Sequence, residues 1–256
     1  MSPPVFVADR AVLAAGTEVR LTGPEGHHAA AVRRIAVGER VMLTDGAGLV
    51  VRAETLEVHR DEVLFSVLGR SEVPAGEPRL VVVQALPKGE RGEVAVETLT
   101  EVGVDVIVPW AASRCVTRWR DERGAKALGR WRSTAREAGK QSRRPWFPEV
   151  SDLASTADVV RLLADAALGI VLHEEADLPL SAAVLPTFGT VVVVVGPEGG
   201  LSAEEREAFA GAGATAYLLG PTVLRTSTAG TVAAAVLLAA TPRWSPSPHS
   251  SPPNPC

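Results

Sequence analysis

The sequence predicts an α/β protein in two parts, a small β-rich N-terminal segment and a larger domain built on a parallel sheet. Three observations predict it. Short stretches of alternating apolar residues recur over the first seventy or so positions, as in Val63-Leu-Phe65-Ser-Val67, and period-two alternation suits strands with one buried face. The run Pro74-Ala-Gly-Glu-Pro78 then interrupts the chain, because proline fixes φ and removes a backbone donor. From Leu80 onward, continuous apolar strands alternate with helical stretches, the pattern of a parallel sheet covered on both faces.

In the first part, residues 1–73, strands are expected at Val5–Val7, Glu18–Leu21, Arg40–Thr44, 49–56 and 62–68. Turn-rich pieces at 23–26 and 45–48 separate them, and one helical piece covers 27–35. Short strands at this spacing suggest a small barrel. In the second part, residues 78–243, the expected order is strand 80–85, helix 93–102, strand 104–108 and helices 126–141 and 159–166. Strands 169–172 and Thr190–Val195, helix Ala203–Gly211, strand 215–219 and helix 227–240 complete it. Residues 244–256 are rich in Pro and Ser and read as a disordered tail, unable to bury enough surface to offset its ordering entropy.

Hydrophobic residues make up 46% of the 256 positions, much of it Ala and Val, enough for a sizeable core. The net charge of −4 argues against a nucleic-acid partner, but its distribution reverses that. Between Arg114 and Arg144 stand eleven Lys/Arg against three acids, a local +8, which leaves −12 for the remainder. The two cysteines form no CxxC pair and no secretory segment opens the chain, so a reducing cytoplasm is expected. The apolar runs are too short to span a membrane, and the five histidines lack metal-ligand spacing, so neither a membrane nor a metal partner is expected.

Two loops carry the functional reading. Strand Thr190–Val195 runs into Gly196-Pro197-Glu198-Gly199-Gly200-Leu201, and Ser202 with Glu205 forms a capping box for the next helix. Three glycines permit positive φ and close approach by a flat ligand at the ligand-binding edge of a parallel sheet. Alone, this is equally a tight turn with no ligand. A phosphate loop is disfavoured because no Walker lysine follows and the GxGxxG order is absent. The second loop, 219–228, offers Leu219 and Gly220, an apolar platform at Leu224, a cation at Arg225, and Thr226, Ser227 and Thr228 to cap a helix of small residues that permits close packing.

Taken together, Val195-Gly-Pro-Glu-Gly-Gly and Leu219-Gly-Pro-Thr-Val-Leu-Arg-Thr-Ser-Thr-Ala resemble the two signature motifs of the SPOUT methyltransferases, and most of all those of the RsmE family. Gln84-Ala-Leu-Pro-Lys-Gly, Thr98-Leu-Thr-Glu-Val-Gly-Val, Arg136-Glu-Ala-Gly-Lys-Gln-Ser-Arg-Arg-Pro, the segment from His27 to Arg34 and Asp45-Gly46 agree, so the resemblance covers about residues 3–243. It implies a trefoil-knotted parallel-sheet domain behind a PUA-like β-barrel, S-adenosylmethionine as methyl donor, and a homodimer. It also implies methylation of N3 of a uridine, position 1498, in 16S rRNA of the small ribosomal subunit. Where family members commonly carry Glu after the Arg-Thr of the second motif, this chain has Ser227, read here as a helix cap.

On this reading the cofactor site comprises Leu172, His173, Gly196, Pro197, Glu198, Gly199, Gly200, Leu201, Leu219, Gly220, Leu224, Thr226 and Thr228. Methyl transfer from a sulfonium is an in-line displacement, so catalysis rests mainly on positioning. Uracil N3 must lose its proton, and a cation near the carbonyl oxygens stabilises the developing anion. Arg225 is the expected catalytic residue, with Arg114 or Arg143 as other cations. His173 is either a base or a hydrogen-bonded residue at a strand end. RNA contact is assigned to Arg33, Arg34, Arg114, Arg136, Gln141, Arg143 and Arg144, although a basic helix is also compatible with a solvated face. Any exposed Trp among Trp119, Trp131 and Trp146 would stack on a base. Two other readings stay open: another RNA target, such as a ribose 2′-hydroxyl of tRNA or 23S rRNA, and a non-catalytic ribosome-assembly factor.

Overall fold

The computed structural model describes residues 3–245 in two compact units, 3–75 with 136–147 and 76–135 with 148–245. The tail expected over 244–256 falls outside the described residues from 246 onward, and its first residue closes a short 3-10 turn, Pro242–Trp244. Residues 136–147, placed by the sequence in the second part, belong instead to the first unit.

The first unit is a curled five-stranded sheet in the order β1-β3-β4-β5-β2. Its strands are β1 (Val5–Val7), β2 (Glu18–Leu21), β3 (Arg40–Thr44), β4 (Leu49–Val58) and β5 (Val63–Glu72). β4 and β5 run past their expected ends because the β4–β5 pairing carries two register shifts, which let long paired strands bend. Phe6, Leu43, Val51 and Phe65 fill the core. Helix α1 (Arg10–Ala14) has no clear sequence signal. Its last carbonyls are satisfied by Arg70, which donates to the oxygens of Leu13, Ala15 and Gly16, and a cation at a helix C-terminus also suits the dipole. The expected turn at 23–26 is helix α2 (Gly23–His27), with Pro24 at its start where the missing N–H costs nothing. A single π turn follows at His28–Val32.

The end of the basic helix packs in this unit. Trp146 Nε1 donates to the Val73 carbonyl, and Phe147 N–H to Gly46 O. At Gly46, a side chain would start 2.7 Å from the Phe147 ring, so Asp45-Gly46 is a glycine turn under an aromatic lid.

The second unit is a six-stranded all-parallel sheet, ordered β11-β9-β10-β6-β7-β8. It comprises β6 (Arg79–Ala85), β7 (Val106–Trp110), β8 (Glu149–Val150), β9 (Leu168–Leu172), β10 (Thr190–Val195) and β11 (Thr215–Tyr217). Helices α3 (Arg91–Val102), α4 (Asp121–Gln141), α5 (Thr156–Ala164), α6 (Ala203–Gly211) and α7 (Thr226–Ala239) join them, with α4 ending in the first unit. α3 ends on Gly103 at φ +109, the left-handed stop that glycine adopts without strain. β7 continues through Pro109, against expectation; β8 pairs only with Val106 and Ile107, so no ladder on that side needs the missing proline N–H. Trp110 and Phe209, both fully buried, meet edge to face at 5.4 Å.

α7 lies against α3, β6 and β10. A side chain at Gly230 would start 3.2–3.3 Å from Leu99, Val195 and Val82, so the close packing expected of this small-residue helix is present. Its last turn is followed by Arg243, whose guanidinium makes two bonds to Asp105, at 2.6 and 2.9 Å. The same group donates to the carbonyls of Pro78 and Gly103.

Candidate active site

Register brings the expected loops together. Val195 at the end of β10 pairs with Gln84 of β6, while β9 ends at Leu172 between β10 and the short β11. The chain therefore leaves three neighbouring strands along one carboxyl edge, where open α/β sheets place ligands. A cleft of about 610 Å³ opens there, within the range of small-molecule sites. Of the expected cofactor residues, Leu172, His173, Gly196, Pro197, Glu198, Gly200, Leu201, Leu219, Gly220, Leu224 and Thr226 line it, as does Arg225. Pro221, Thr222 and Val223, within the expected second loop, also line it, as do Glu174, Leu218 and Ala229, which were missed because a wall residue contributes by position rather than by type.

Gly199 and Thr228 are not on this wall. Gly199 accepts a bond from Arg114 Nη1 at 3.1 Å, and its missing side chain leaves room for Arg114 Cβ, which lies 3.2 Å from where one would start. A Cβ at this position would press on Arg114, so the glycine accommodates a chain contact. Thr228 Oγ1 donates to Arg225 O, a local helix bond. The cap assigned to Ser227 is also absent: Arg225 occupies the cap position without any side-chain cap bond, and Ser227 is only 5% exposed within the first turn.

The two loops have different supports. In 196–201, Gly200 N–H donates to Pro197 O at 2.9 Å and Gly200 sits at φ +71. Glu198 Oε1 accepts the Lys88 N–H at 3.2 Å. Ser202 and Glu205 form the expected capping box at the start of α6. The Glu204 carboxyl is held below the usual carboxylate range, first by its own backbone N–H, then by the Ser202 hydroxyl, with a smaller pull from Arg114. Behind the second loop, buried Gln84 donates from Nε2 to the carbonyls of Ala85 and Thr226. Its Oε1 has no hydrogen-bond partner among the described residues.

His173 Nδ1 accepts the Glu175 N–H at 3.2 Å. That bond assigns the neutral ring's proton to Nε2, which makes Nε2 a donor rather than a base. The hydrogen-bonded strand-end reading fits this geometry.

The basic segment is more structural than its composition suggests. Arg130 pairs with Glu93 and Arg132 with Asp152, both at 2.9 Å. Arg136 faces Glu25 at 3.5 Å, and Lys140, 8% exposed, contacts Glu25 at 2.9 Å and Glu137 at 3.3 Å. Trp119 and Trp131 pack edge to face at 5.0 Å, and Trp146 is half-buried, so none of the three is an exposed stacking platform. Arg33, Arg34, Gln141 and Arg143 are exposed, and Arg144 is half-buried. Arg34 and Arg143 hold φ values of +54 and +55, a conformation uncommon for residues with a side chain. Among the described residues no cluster of His, Cys, Asp and Glu is arranged to hold a metal, and no helix is long and apolar enough to cross a membrane.

Comparison with known proteins agrees with this geometry. A family model described as an RNA methyltransferase domain matches residues 75–238, and one described as an RNA methyltransferase PUA domain matches residues 21–68. The ribosomal RNA small subunit methyltransferase E of Mycobacterium bovis is 44% identical over 233 residues, which cover 90% of this chain and 89% of that protein. Its Bacillus subtilis namesake is 31% identical over 220 residues, covering 82% and 85%. A methyltransferase from Legionella pneumophila, solved in complex with its bound cofactor SAM, superposes with a TM-score of 0.83 at 30% identity, over 94% of this chain and 99% of that one. The chain therefore belongs to the RNA methyltransferase family and, within it, to the ribosomal RNA small subunit methyltransferase E group whose motifs it carries.

Proposed function

We propose that this protein methylates N3 of a uridine in 16S rRNA of the small ribosomal subunit, position 1498 by family resemblance, with S-adenosylmethionine as donor. The observation that carries the reading is the cleft at the carboxyl edge of β9 and β10, walled by both motif loops with Arg225 on its lining. Its residues fit the cofactor. Leu201, Leu219 and Leu224 offer apolar surface to an adenine ring, and the loops bring backbone polar groups to its edge. At Gly220 an added Cβ would meet nothing within 4 Å, so the glycine leaves open space on the cleft wall. The similar Legionella protein holds this cofactor.

The cofactor supplies a methyl group on a sulfonium, which departs as a neutral thioether. The chain's own residues hold and orient the reactants. Arg225 would stabilise negative charge on a uracil carbonyl oxygen as the N3 proton passes to solvent water and the freed N3 lone pair takes up the methyl group. His173 holds its imidazole at the wall through Glu175. Exposed Arg33, Arg34 and Arg143 of the first unit, with Gln141 and Arg144, are read as phosphate and base contacts. Left-handed conformations at two of these arginines support that role, since such strain is kept where surroundings impose it and clusters at functional sites. Arg114 and Arg136, by contrast, are engaged with Gly199 and Glu25.

The same reading includes a homodimer, a cytoplasmic location and a knotted C-terminal path. The tight seat of Gly230 between α3, β6 and β10 supports a crowded chain crossing.

The deciding experiment incubates purified protein and S-adenosylmethionine with small subunits from cells that lack the modification, then maps methylated nucleotides by mass spectrometry. One new N3-methyluridine is expected. A methyl found only on a ribose hydroxyl would assign another target, and bound cofactor without methylation an assembly role. Gly220→Ala is expected to weaken cofactor binding by about tenfold, with the melting temperature nearly unchanged because the added Cβ meets nothing within 4 Å. Wild-type affinity in calorimetry would remove Gly220 from the binding wall.

A further inference from the structure

A capping-box carboxylate normally reaches back to its own N-cap N–H and leaves its other oxygen to solvent. Glu205 does more. It is 3% exposed, and while Oε2 accepts the Ser202 N–H at 3.0 Å, Oε1 accepts the N–H of distant Ser113 at 2.7 Å. A buried carboxylate is costly unless hydrogen-bonded, and charge-assisted bonds to backbone N–H groups are short and strong. Glu205 thus ties the segment after β7 to the start of α6.

That segment is pinned from its other side as well. Arg118 donates to the carbonyls of Ala112 at 3.1 Å and Ser113 at 2.9 Å. Arg114 follows immediately, and its guanidinium holds Gly199 O at 3.1 Å. The next residue, Gly200, lies on the cleft wall at φ +71. An unbroken path of contacts runs from Glu205 through Ser113 and Arg114 to the loop that walls the cleft.

We propose that Glu205 is a positioning residue for cofactor capture, acting through Arg114, which clamps the 196–201 loop in its binding shape. The inference rests on the cofactor reading above. It assigns Arg114 a place in the methyl-donor site in addition to any contact with RNA. Because the clamp acts on the binding wall and not on the reacting atoms, its loss raises cofactor Kd and KM and spares kcat at saturation.

The test uses the full chain with Glu205→Gln, Arg114→Ala and the double variant. Cofactor affinity is read by calorimetry, and steady-state rates are measured on small subunits. The amide keeps the size of Glu205 but can accept only one of the two N–H bonds. Each single variant is expected to raise Kd and KM about tenfold with kcat within about twofold, and the double variant to be no worse than the poorer single. A double variant about a hundredfold weaker, as for independent sites, overturns the proposal, as does an unchanged Kd or a lowered kcat in Glu205→Gln. If Glu205→Gln does not fold, Arg118→Ala takes its place, releasing the same segment from its exposed side and carrying the same expectations. Wild-type protein that binds no cofactor would overturn the cofactor reading too, whereas wild-type binding with uncoupled variants overturns this inference alone.

Discussion

Arg225→Ala is expected to cut turnover by about a hundredfold to a thousandfold, the range seen when one preorganised group that stabilises developing charge is removed. Cofactor affinity and melting temperature should stay near wild type. Arg225 lies at the N-cap of α7, but its contribution to the helix is made by the backbone: its carbonyl accepts from the N–H groups of Thr228 and Ala229 and from Thr228 Oγ1. No side-chain cap bond is made. Alanine keeps every one of these bonds, so the loss isolates the guanidinium. Arg225→Lys should recover part of the rate, because a point charge replaces a planar fork that can face a carbonyl oxygen from two nitrogens. Single-turnover kinetics with saturating cofactor would make the comparison. Turnover within about threefold of wild type in Arg225→Ala would move the catalytic charge to another residue.

The largest expected effect on stability belongs to Arg243→Ala, at about 3 kcal/mol or more. Arg243 and Asp105 are both largely shielded from water, with side-chain exposures of 13% and 16%. Their double bond is joined by Arg243 contacts to Pro78 and Gly103 and by the Leu80 N–H, which Asp105 Oδ2 accepts at 2.8 Å. Removing the arginine strips a shielded carboxylate of two charge-assisted bonds, the kind of loss that makes broken buried pairs expensive. For a chain of this size, about 3 kcal/mol corresponds to a fall in Tm of roughly 6–12 °C. Urea unfolding should show a lower midpoint at an unchanged slope. A loss of unfolding free energy below about 0.5 kcal/mol would show the pair to be no stronger than an exposed surface bridge.

Much of the fold is legible in the sequence because its signals are local. Strands β6, β7, β9 and β10 are rich in Val, Leu or Ile, helices α5 and α6 follow the capping residues Ser155 and Ser202, and α3 stops at Gly103. What escapes depends on partners far along the chain. α1 ends on carbonyls held by Arg70, 54–57 positions away. The basic face of α4 looks unneutralised in sequence because Glu25, Glu93 and Asp152 lie outside the segment. The cleft shows the same division. Its glycine and leucine loops announce themselves, whereas the additional bond from Glu205 to Ser113 joins residues 92 positions apart. Gly199 adds a further distant contact, its missing side chain leaving room for Arg114, 85 positions away.

Cys115 lies one residue beyond Arg114, buried, with its thiol pushed above the ordinary range chiefly by desolvation. A raised pKa means less thiolate at neutral pH, and thiolate is the species that alkylating reagents attack. In the folded protein this sulfur should therefore be slow toward maleimides, and every event that uncovers it should register as labelling. Followed peptide by peptide in a mass spectrometer, the sulfur becomes a built-in clock for the opening of the segment after β7, readable with no engineered probe.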